Sequence, residues 1–461
     1  MNRSTARSKL SPPLRPRLTV GVISLGCPKN LVDTEVMLGL LREAGFAITT
    51  DSQQADLLIV NTCCFIGAAR QESSDALSEA AELRRSGRAQ ALVCAGCWPE
   101  RDAEALRKQF PEIDALMGPG DVADIVEIAG RALSGAGAME RPLSPPSYLY
   151  DETAPRLRAT PPWTAYVKIA EGCDHRCRFC VIPRIRGRYR SRTIGSVVAE
   201  AESLSRDGVR EINLVAQDTT AYGKDLDGPD IADLVSALAI VEGLHWIRLL
   251  YTFPTRVTPR LIEAMAAHET VCKYIDVPFQ HADRDLLRQM GRPGDGASYL
   301  KLIGQLRRAM PEIAIRTTFL IGFPGETEQA FEGLLEFVDA AQLDRAGAFV
   351  YSAEPGTPAA EMPDQVPPEI ARERLHEMMV RQQAISLARN REWIGKRIEV
   401  LVESQGPSRS TWVGRSFRDA PEIDGSVIVR AERQAMQPGR FVRAEITGAE
   451  PYDLRARIAG A

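Results

Sequence analysis

Tyr166-Val-Lys-Ile-Ala-Glu-Gly-Cys-Asp-His-Arg-Cys-Arg-Phe-Cys180 is the stretch on which the reading of this chain turns. The apolar run from Tyr166 to Ala170 reads as a strand. The loop after it carries Cys173, Cys177 and Cys180 in a C-x3-C-x2-C spacing. Three thiolates on one short loop can hold three corners of a [4Fe-4S] cube and leave the fourth iron open to a substrate or cofactor. A structural zinc site is the alternative, and it normally closes with a fourth ligand. His175 is the residue at hand for that role, although it sits between the first two cysteines, where ring geometry is awkward.

Working outward, apolar or β-branched runs recur at Glu211 to Ala216, Trp246 to Tyr251, Lys273 to Val277, Ile313 to Gly322 and Ala346 to Tyr351, with helical stretches between them. Six βα units predict a partial barrel whose site lies at the carboxyl ends of its strands. Upstream, Val20 to Leu25, Leu57 to Val60 and Ala91 to Cys94 alternate with helical stretches and predict a separate Rossmann-like parallel sheet. Between the two, Gly135 to Pro162 is rich in Gly, Ser and Pro and reads as a linker across the surface. Pro367 to Ile394 reads as one helix, and the short alternating runs after Gly395 predict a small antiparallel barrel. The fold class is therefore α/β, with a parallel-sheet domain, a partial (βα)6 barrel and a small β-barrel.

A second set of cysteines is dispersed. Cys27, Cys63 and Cys97 each follow a predicted strand of the first sheet by a few residues. In a parallel sheet such loops share the carboxyl edge, so three cysteines distant in sequence can converge on a second cluster; three unrelated buried thiols are the alternative. Cys94 and Cys272 lie inside apolar strands and read as core. Cys64 adjoins Cys63 and competes as a ligand. Cys94-x2-Cys97 has redox-dithiol spacing, but no helix start is expected between the thiols.

Other residues at the same edges are site candidates. Arg176, Arg178, Arg184, Arg186, Arg188, Arg190 and Arg192 form a basic run beside the first cysteine loop, suited to steering an acidic partner or to solvation alone. Gly322-Phe-Pro-Gly-Glu-Thr327 allows close backbone approach to a ligand or simply turns into a capped helix. Gln217 to Thr220 and Gln280-His281 follow strands on the same face.

The 461 residues include 57 Lys and Arg against 61 Asp and Glu, so no global field binds nucleic acid, although local basic patches remain open. No apolar run approaches the ~20 residues a bilayer span needs, and Met1 to Arg17 has no secretory apolar region and reads as a disordered leader. Nine cysteines suit metal ligation in a reducing compartment better than a disulfide scaffold. The expectation is a cytoplasmic protein.

The C-x3-C-x2-C loop after the first strand of a partial βα barrel resembles the radical S-adenosylmethionine (SAM) enzymes. Together with Ser24-Leu-Gly-Cys-Pro-Lys-Asn30, Asn61-Thr-Cys63, Gly96-Cys97 and the terminal barrel, the chain resembles the methylthiotransferases from Leu18 to Ile458. The resemblance implies an N-terminal methylthiotransferase domain at 18–130, a linker at 131–158, a radical SAM core at 159–390 and a TRAM domain at 393–459. It implies two [4Fe-4S] clusters, one on Cys27, Cys63 and Cys97 and one on Cys173, Cys177 and Cys180. The second of these would bind and cleave SAM, with Phe179, Gly322, Gly325 and Gln280 as SAM contacts. The family has a tRNA adenosine (isopentenyladenosine) branch and a branch acting on the β-carbon of an aspartate in the S-twelve protein of the small ribosomal subunit. Gly26-Cys-Pro-Lys-Asn-Leu-Val-Asp33 and Asp419-Ala-Pro-Glu-Ile-Asp-Gly425 resemble the ribosomal-protein branch, and acidic Asp419, Glu422 and Asp424 would suit a basic protein and repel RNA phosphates. An electron donor and a sulfur donor are implied as further partners, both unidentified. A metal-stabilised, non-catalytic RNA-binding protein is the reading from another class.

Overall fold

The structure, a computed structural model, describes residues 18–136, 143–431 and 436–458; the leader expected over Met1 to Arg17 lies outside them. Five strands, β1 (Thr19–Ser24), β2 (Ala47–Thr49), β3 (Leu57–Thr62), β4 (Ala91–Gly96) and β5 (Ala115–Met117), form a parallel sheet in the order β2-β1-β3-β4-β5. Every residue of β3 and β4 is buried. Helices cover both faces of the sheet, which is why these strands read as unbroken apolar runs. β2 and β5, at three residues each, are too short to show a period and were not expected from the sequence.

Six further parallel strands form an open sheet in the order β13-β12-β11-β10-β9-β6. They are β6 (Thr164–Lys168), β9 (Glu211–Val215), β10 (Trp246–Leu249), β11 (Val271–Asp276), β12 (Ala314–Ile321) and β13 (Arg345–Val350); a short antiparallel ribbon of β7 (Ala170–Glu171) and β8 (Arg190–Ser191) frames the cysteine loop. This is the expected partial barrel. Alternate residues point to opposite faces of each strand. Ile212, Ile247, Ile275 and Ile315 pack with the helical Leu234 and Leu261 in one core. Glu211, Arg248, Tyr274, Arg316 and Arg345 face the other way.

The third unit is a closed five-stranded barrel of β14 (Arg397–Gln405), β15 (Thr411–Ser416), β16 (Val427–Arg430), β17 (Phe441–Ala449) and β18 (Leu454–Ile458), reached through the helix Pro368–Arg391. It departs from the expectation in two ways. β18 was not expected, and it pairs with β16 in parallel, so the barrel is not wholly antiparallel.

The proline-rich connection is no loose surface crossing. The helix Ile125–Ser134 runs into it, and Tyr150 is 2 % exposed, its hydroxyl donating to Glu200 and accepting from the Lys168 amide at 3.1 Å. Arg156 joins Glu35 of the first domain to Glu200 and to the Tyr166 carbonyl of the second. The segment is a strap held by polar bonds, which leave no periodic apolar signal.

The terminal barrel docks through buried charge. Glu211 is fully buried and pairs with Arg248 on β10 and with Arg415 on β15. Arg345 reaches Asp419 at 3.0 Å, Arg418 reaches Asp344 at 2.8 Å, and Tyr274 donates to Asp424 at 2.6 Å. Burial alone would raise the Glu211 carboxyl, yet Arg415 and Arg248 hold it down to about 2. A free glutamate titrates near ~4.3, so this stabilisation is complete above that pH and is lost as pH falls toward 2. Removing one partner of a buried pair costs roughly 3–5 kcal/mol. Glu211→Gln should therefore lower unfolding stability by about that much at pH 7 and leave little difference from the wild type near pH 2, as measured by denaturant unfolding at both pH values.

Candidate functional site

Both cysteine sets sit at carboxyl edges, as their spacing predicts. Cys27 is the N-cap of the helix Pro28–Glu43 after β1, Cys63 follows β3 directly, and Cys97 opens the helix Cys97–Gln109 after β4. A helix therefore does start at one thiol of Cys94-x2-Cys97, which the sequence did not suggest, while Cys94 itself is fully buried within β4. Two glycines let the loops abut. A Cβ on Gly26 (φ +89°) would lie 2.7 Å from the Cys63 Cβ, and one on Gly96 (φ +95°) would lie 2.3 Å from Asn61 Oδ1.

The three thiols of the first set feel one another electrostatically. Burial pushes Cys63 up to about 12, and the neighbouring Cys97 and Cys27 add to the rise. Cys27 goes the other way: burial would raise it, but Lys29 and Arg186 beside it bring it below the usual thiol value. In the second set, burial raises Cys173 to about 11 and Cys180 to about 12, with Cys177 adding to both. Among the described residues, no three His, Cys, Asp or Glu side chains close around one point as ligands of a single ion would. A [4Fe-4S] cube takes its thiolates at separate corners and needs no such closure.

His175 does not complete a zinc site. Its Nε2 lies 2.7 Å from Asp218 Oδ2, and its ring stacks on Phe253 with centroids 4.0 Å apart. Cys64 is fully buried and raised by burial, and its carbonyl accepts from Arg101 at 2.6 Å. Arg101 in turn pairs with Glu354, which ties this loop to the end of the partial barrel.

Between the two triads lies a buried charge network that the sequence reading missed. Lys168, 1 % exposed, bonds both Asp33 and Glu171, and Arg186 bonds the same two carboxylates. Burial would raise Glu171, but Lys168 and Arg186 hold its carboxyl well below the usual carboxylate range. Arg186 also donates to Asn30 Oδ1 at 2.8 Å and lies 3.4 Å from Cys97 Sγ. At the second triad, Arg292 Nη1 lies 3.8 Å from Cys177 Sγ. The basic run thus divides into the buried, committed Arg186 and Arg192, the half-buried Arg190 on the Tyr148 and Arg186 carbonyls, and the exposed Arg176, Arg178, Arg184 and Arg188.

Gln280, four residues beyond β11, has φ +71°, and Tyr251, two residues beyond β10, has φ +60°; residues held in that conformation just past adjacent strands mark strain of the kind that gathers at functional sites. Lys29 lies 3.2 Å over the Tyr251 ring. Gln217 donates to Glu171 at 2.6 Å, and its buried Oε1 has no hydrogen-bond partner among the described residues, which leaves an open acceptor next to Glu171. Phe179 meets Phe323 edge-on at 6.4 Å. Gly322 and Gly325 have local reasons to be glycine: both have positive φ, and a Cβ would meet Ala371 at 2.6 Å and Gln289 at 2.9 Å.

Of the acidic residues on the loop after β15, Asp419 and Asp424 are consumed by the pairs already described, and Glu422 is exposed. Its charge acts on Tyr166 and Tyr251, so this carboxylate lies near those two rings.

Three family models cover the chain: the Radical SAM superfamily at 167–338, the uncharacterized protein family UPF0004 at 19–118 and the TRAM domain at 394–459. A ribosomal protein uS12 methylthiotransferase RimO of Desulforamulus reducens is 50 % identical over 443 residues, covering 96 % of this chain and 99 % of the relative. The chain belongs to the RimO family of radical SAM methylthiotransferases. RimO relatives of Desulforudis audaxviator (50 % identity, 95 % of this chain, 96 % of the relative) and Geobacter sulfurreducens (46 %, 95 % and 98 %) align equally fully. The fold is similar to that of the radical SAM methyltransferase TsrM from Kitasatospora setae, with a TM-score of 0.57 and 16 % identity over 80 % of this chain and 89 % of that one. Membership of the radical SAM superfamily implies SAM and a [4Fe-4S] cluster, and RimO is a transferase family. No described helix is long and apolar enough to cross a membrane.

Because the His175 ring is committed to Asp218, His175→Ala should leave the metal content after anaerobic reconstitution unchanged. Iron and zinc analysis checks this; loss of bound metal would make the ring a ligand.

Proposed function

We propose that the chain transfers a methylthio group to the β-carbon of an aspartate in the S-twelve protein of the small ribosomal subunit, using two [4Fe-4S] clusters and SAM. The observation that carries the reading is the pair of thiol triads on two carboxyl edges, joined by the buried Asp33, Lys168, Glu171 and Arg186 network. The units are the strapped N-terminal sheet over 18–130 with its linker at 131–158, the partial barrel over 159–390 and the terminal barrel over 393–459.

Cys173, Cys177 and Cys180 hold the cluster that binds SAM, and Cys27, Cys63 and Cys97 hold the other. When bound, the first would supply one-electron cleavage of SAM, the chemistry that hydrogen abstraction from an unactivated carbon demands, and the second would hold the sulfur to be inserted. The protein's part is orientation and exclusion of water. Gln217 Oε1 offers an open acceptor at the SAM side, with Gln280 held beyond β11 by its backbone bonds to Thr318 and Leu320 of β12, Phe179 within the cysteine loop, and Gly322 and Gly325 shaping the turn after β12. Lys29 beside Cys27 and the Arg186 contact at Cys97 favour the charged form of these thiols. Asp33, Glu171 and their two cations neutralise one another, so the floor between the triads carries no net charge into a low-dielectric region. Electrons and sulfur come from donors outside the chain.

Glu422 supports a basic protein substrate, because a free carboxylate at the substrate region attracts cationic side chains and repels phosphates. The cytoplasm is the compartment that offers both reduced thiols and ribosomal protein.

Cys173→Ala, Cys177→Ala or Cys180→Ala should each abolish 5'-deoxyadenosine formation, while Cys27→Ala, Cys63→Ala or Cys97→Ala should retain it and lose methylthio transfer, both read by mass spectrometry. Offered S-twelve protein and bulk tRNA together, the reconstituted enzyme should add methylthio mass to an aspartate of the protein alone; a gain on tRNA adenosine would move the reading to the sister branch. Glu422→Lys should reduce transfer to the protein by roughly tenfold, with substrate-free SAM cleavage at its wild-type rate.

A further inference from the structure

Arg186 belongs by sequence to the SAM-side cysteine loop, six residues beyond Cys180, at the end of the short helix Ile182–Arg186. Its guanidinium nevertheless reaches the other domain. One nitrogen, Nη2, meets Asn30 Oδ1 at 2.8 Å and Cys97 Sγ at 3.4 Å; the other, Nη1, meets Asp33 Oδ2 at 2.6 Å and Glu171 Oε2 at 3.3 Å. The side chain is 2 % exposed, so no solvent screens its charge. A planar fork with donors on two sides can satisfy all four acceptors at once, which a lysine cannot.

Hydrogen bonds and positive charge at a ligating sulfur favour the reduced, more negative state of an iron–sulfur cluster and so raise its reduction potential. The carboxylates of Asp33 and Glu171 act in the opposite sense on the same guanidinium. The position of Arg186 between them and Cys97 therefore sets how much of its charge the sulfur feels.

We propose that Arg186, a residue of the SAM-side loop, is a positioning residue for the N-terminal cluster, holding Cys97 and tuning that cluster's reduction potential through its bond to the thiolate. The proposal rests on the reading that Cys27, Cys63 and Cys97 hold a cluster. It makes the electronic state of one cluster depend on the loop that carries the other: any shift of the SAM-side loop moves the Arg186 guanidinium relative to the sulfur.

The test uses the full chain carrying Cys173→Ala, Cys177→Ala and Cys180→Ala, which isolates the N-terminal cluster. The chain is reconstituted without oxygen and titrated with dithionite as the one-electron donor, and the reduced signal is followed by electron paramagnetic resonance. Arg186→Gln should shift the midpoint to more negative potential, Arg186→Lys should give a smaller shift in the same direction, and Asp33→Asn should shift it to more positive potential. General loosening of the fold would not give shifts of opposite sign. If the glutamine variant fails to fold, the lysine and Asp33→Asn variants still decide the sign. An unchanged midpoint in the Arg186 variants, or shifts of the same sign for Arg186 and Asp33, would overturn the proposal. Failure of the isolating background itself to take up iron would overturn the N-terminal cluster and the proposal with it.

Discussion

The placement of the site depends on one buried interaction, the mutual neutralisation of Asp33, Lys168, Glu171 and Arg186. Asp33 comes from the first helix of the N-terminal sheet, and the other three come from the partial barrel and its cysteine loop. All four are buried. Taking any one of these charges out of water alone is strongly unfavourable, and only the full set offsets that cost. The two domains therefore meet in one registry, the one that sets the Cys27, Cys63 and Cys97 edge against the Cys173 loop. The strap through Tyr150 and Arg156 reinforces the same registry from outside, because Arg156 bonds Glu35, two residues from Asp33, together with Glu200 and the Tyr166 carbonyl.

The terminal barrel is fixed by a second charged layer, on the face of the parallel sheet turned away from its helices. Glu211, Arg248, Arg316 and Arg345 would be an unusual set for a strand interior if that face were packed only by apolar side chains. Here they meet Arg415, Asp419 and Asp424 from the loop and strand of the barrel. The consequence for function is that most of the acidic character of the 419–424 loop is structural. What remains for a substrate is the single exposed carboxylate at Glu422.

The architecture was legible in the sequence where apolar periodicity or turn chemistry carried it. The strand runs, the partial barrel and both cysteine triads were read at the edges where the structure has them. Cys27, Cys63 and Cys97 stood out because each follows an apolar run, and parallel topology brings such positions to one edge. The interface was not legible. Lys168, Glu171 and Arg186 look like ordinary polar residues around a loop, and nothing local distinguishes the buried Arg186 from the exposed Arg184 or Arg188. Buried ion pairs between domains leave no period, and for the same reason the strap was read as a loose linker. Tyr251 was missed as well, because a strained backbone conformation in a tyrosine has no compositional signature. The three-residue edge strands β2 and β5 fell below the length at which alternation can be recognised.

The central claim, that two separate three-thiolate sites face each other across one charged floor, is tested most directly by an iron anomalous difference map from crystals of the anaerobically reconstituted chain. The account predicts two compact iron peaks, one bounded by Cys27, Cys63 and Cys97 and the other by Cys173, Cys177 and Cys180, with the Arg186 guanidinium between them. A single peak, or iron bound through Cys64 or His175 in place of a triad member, would contradict it.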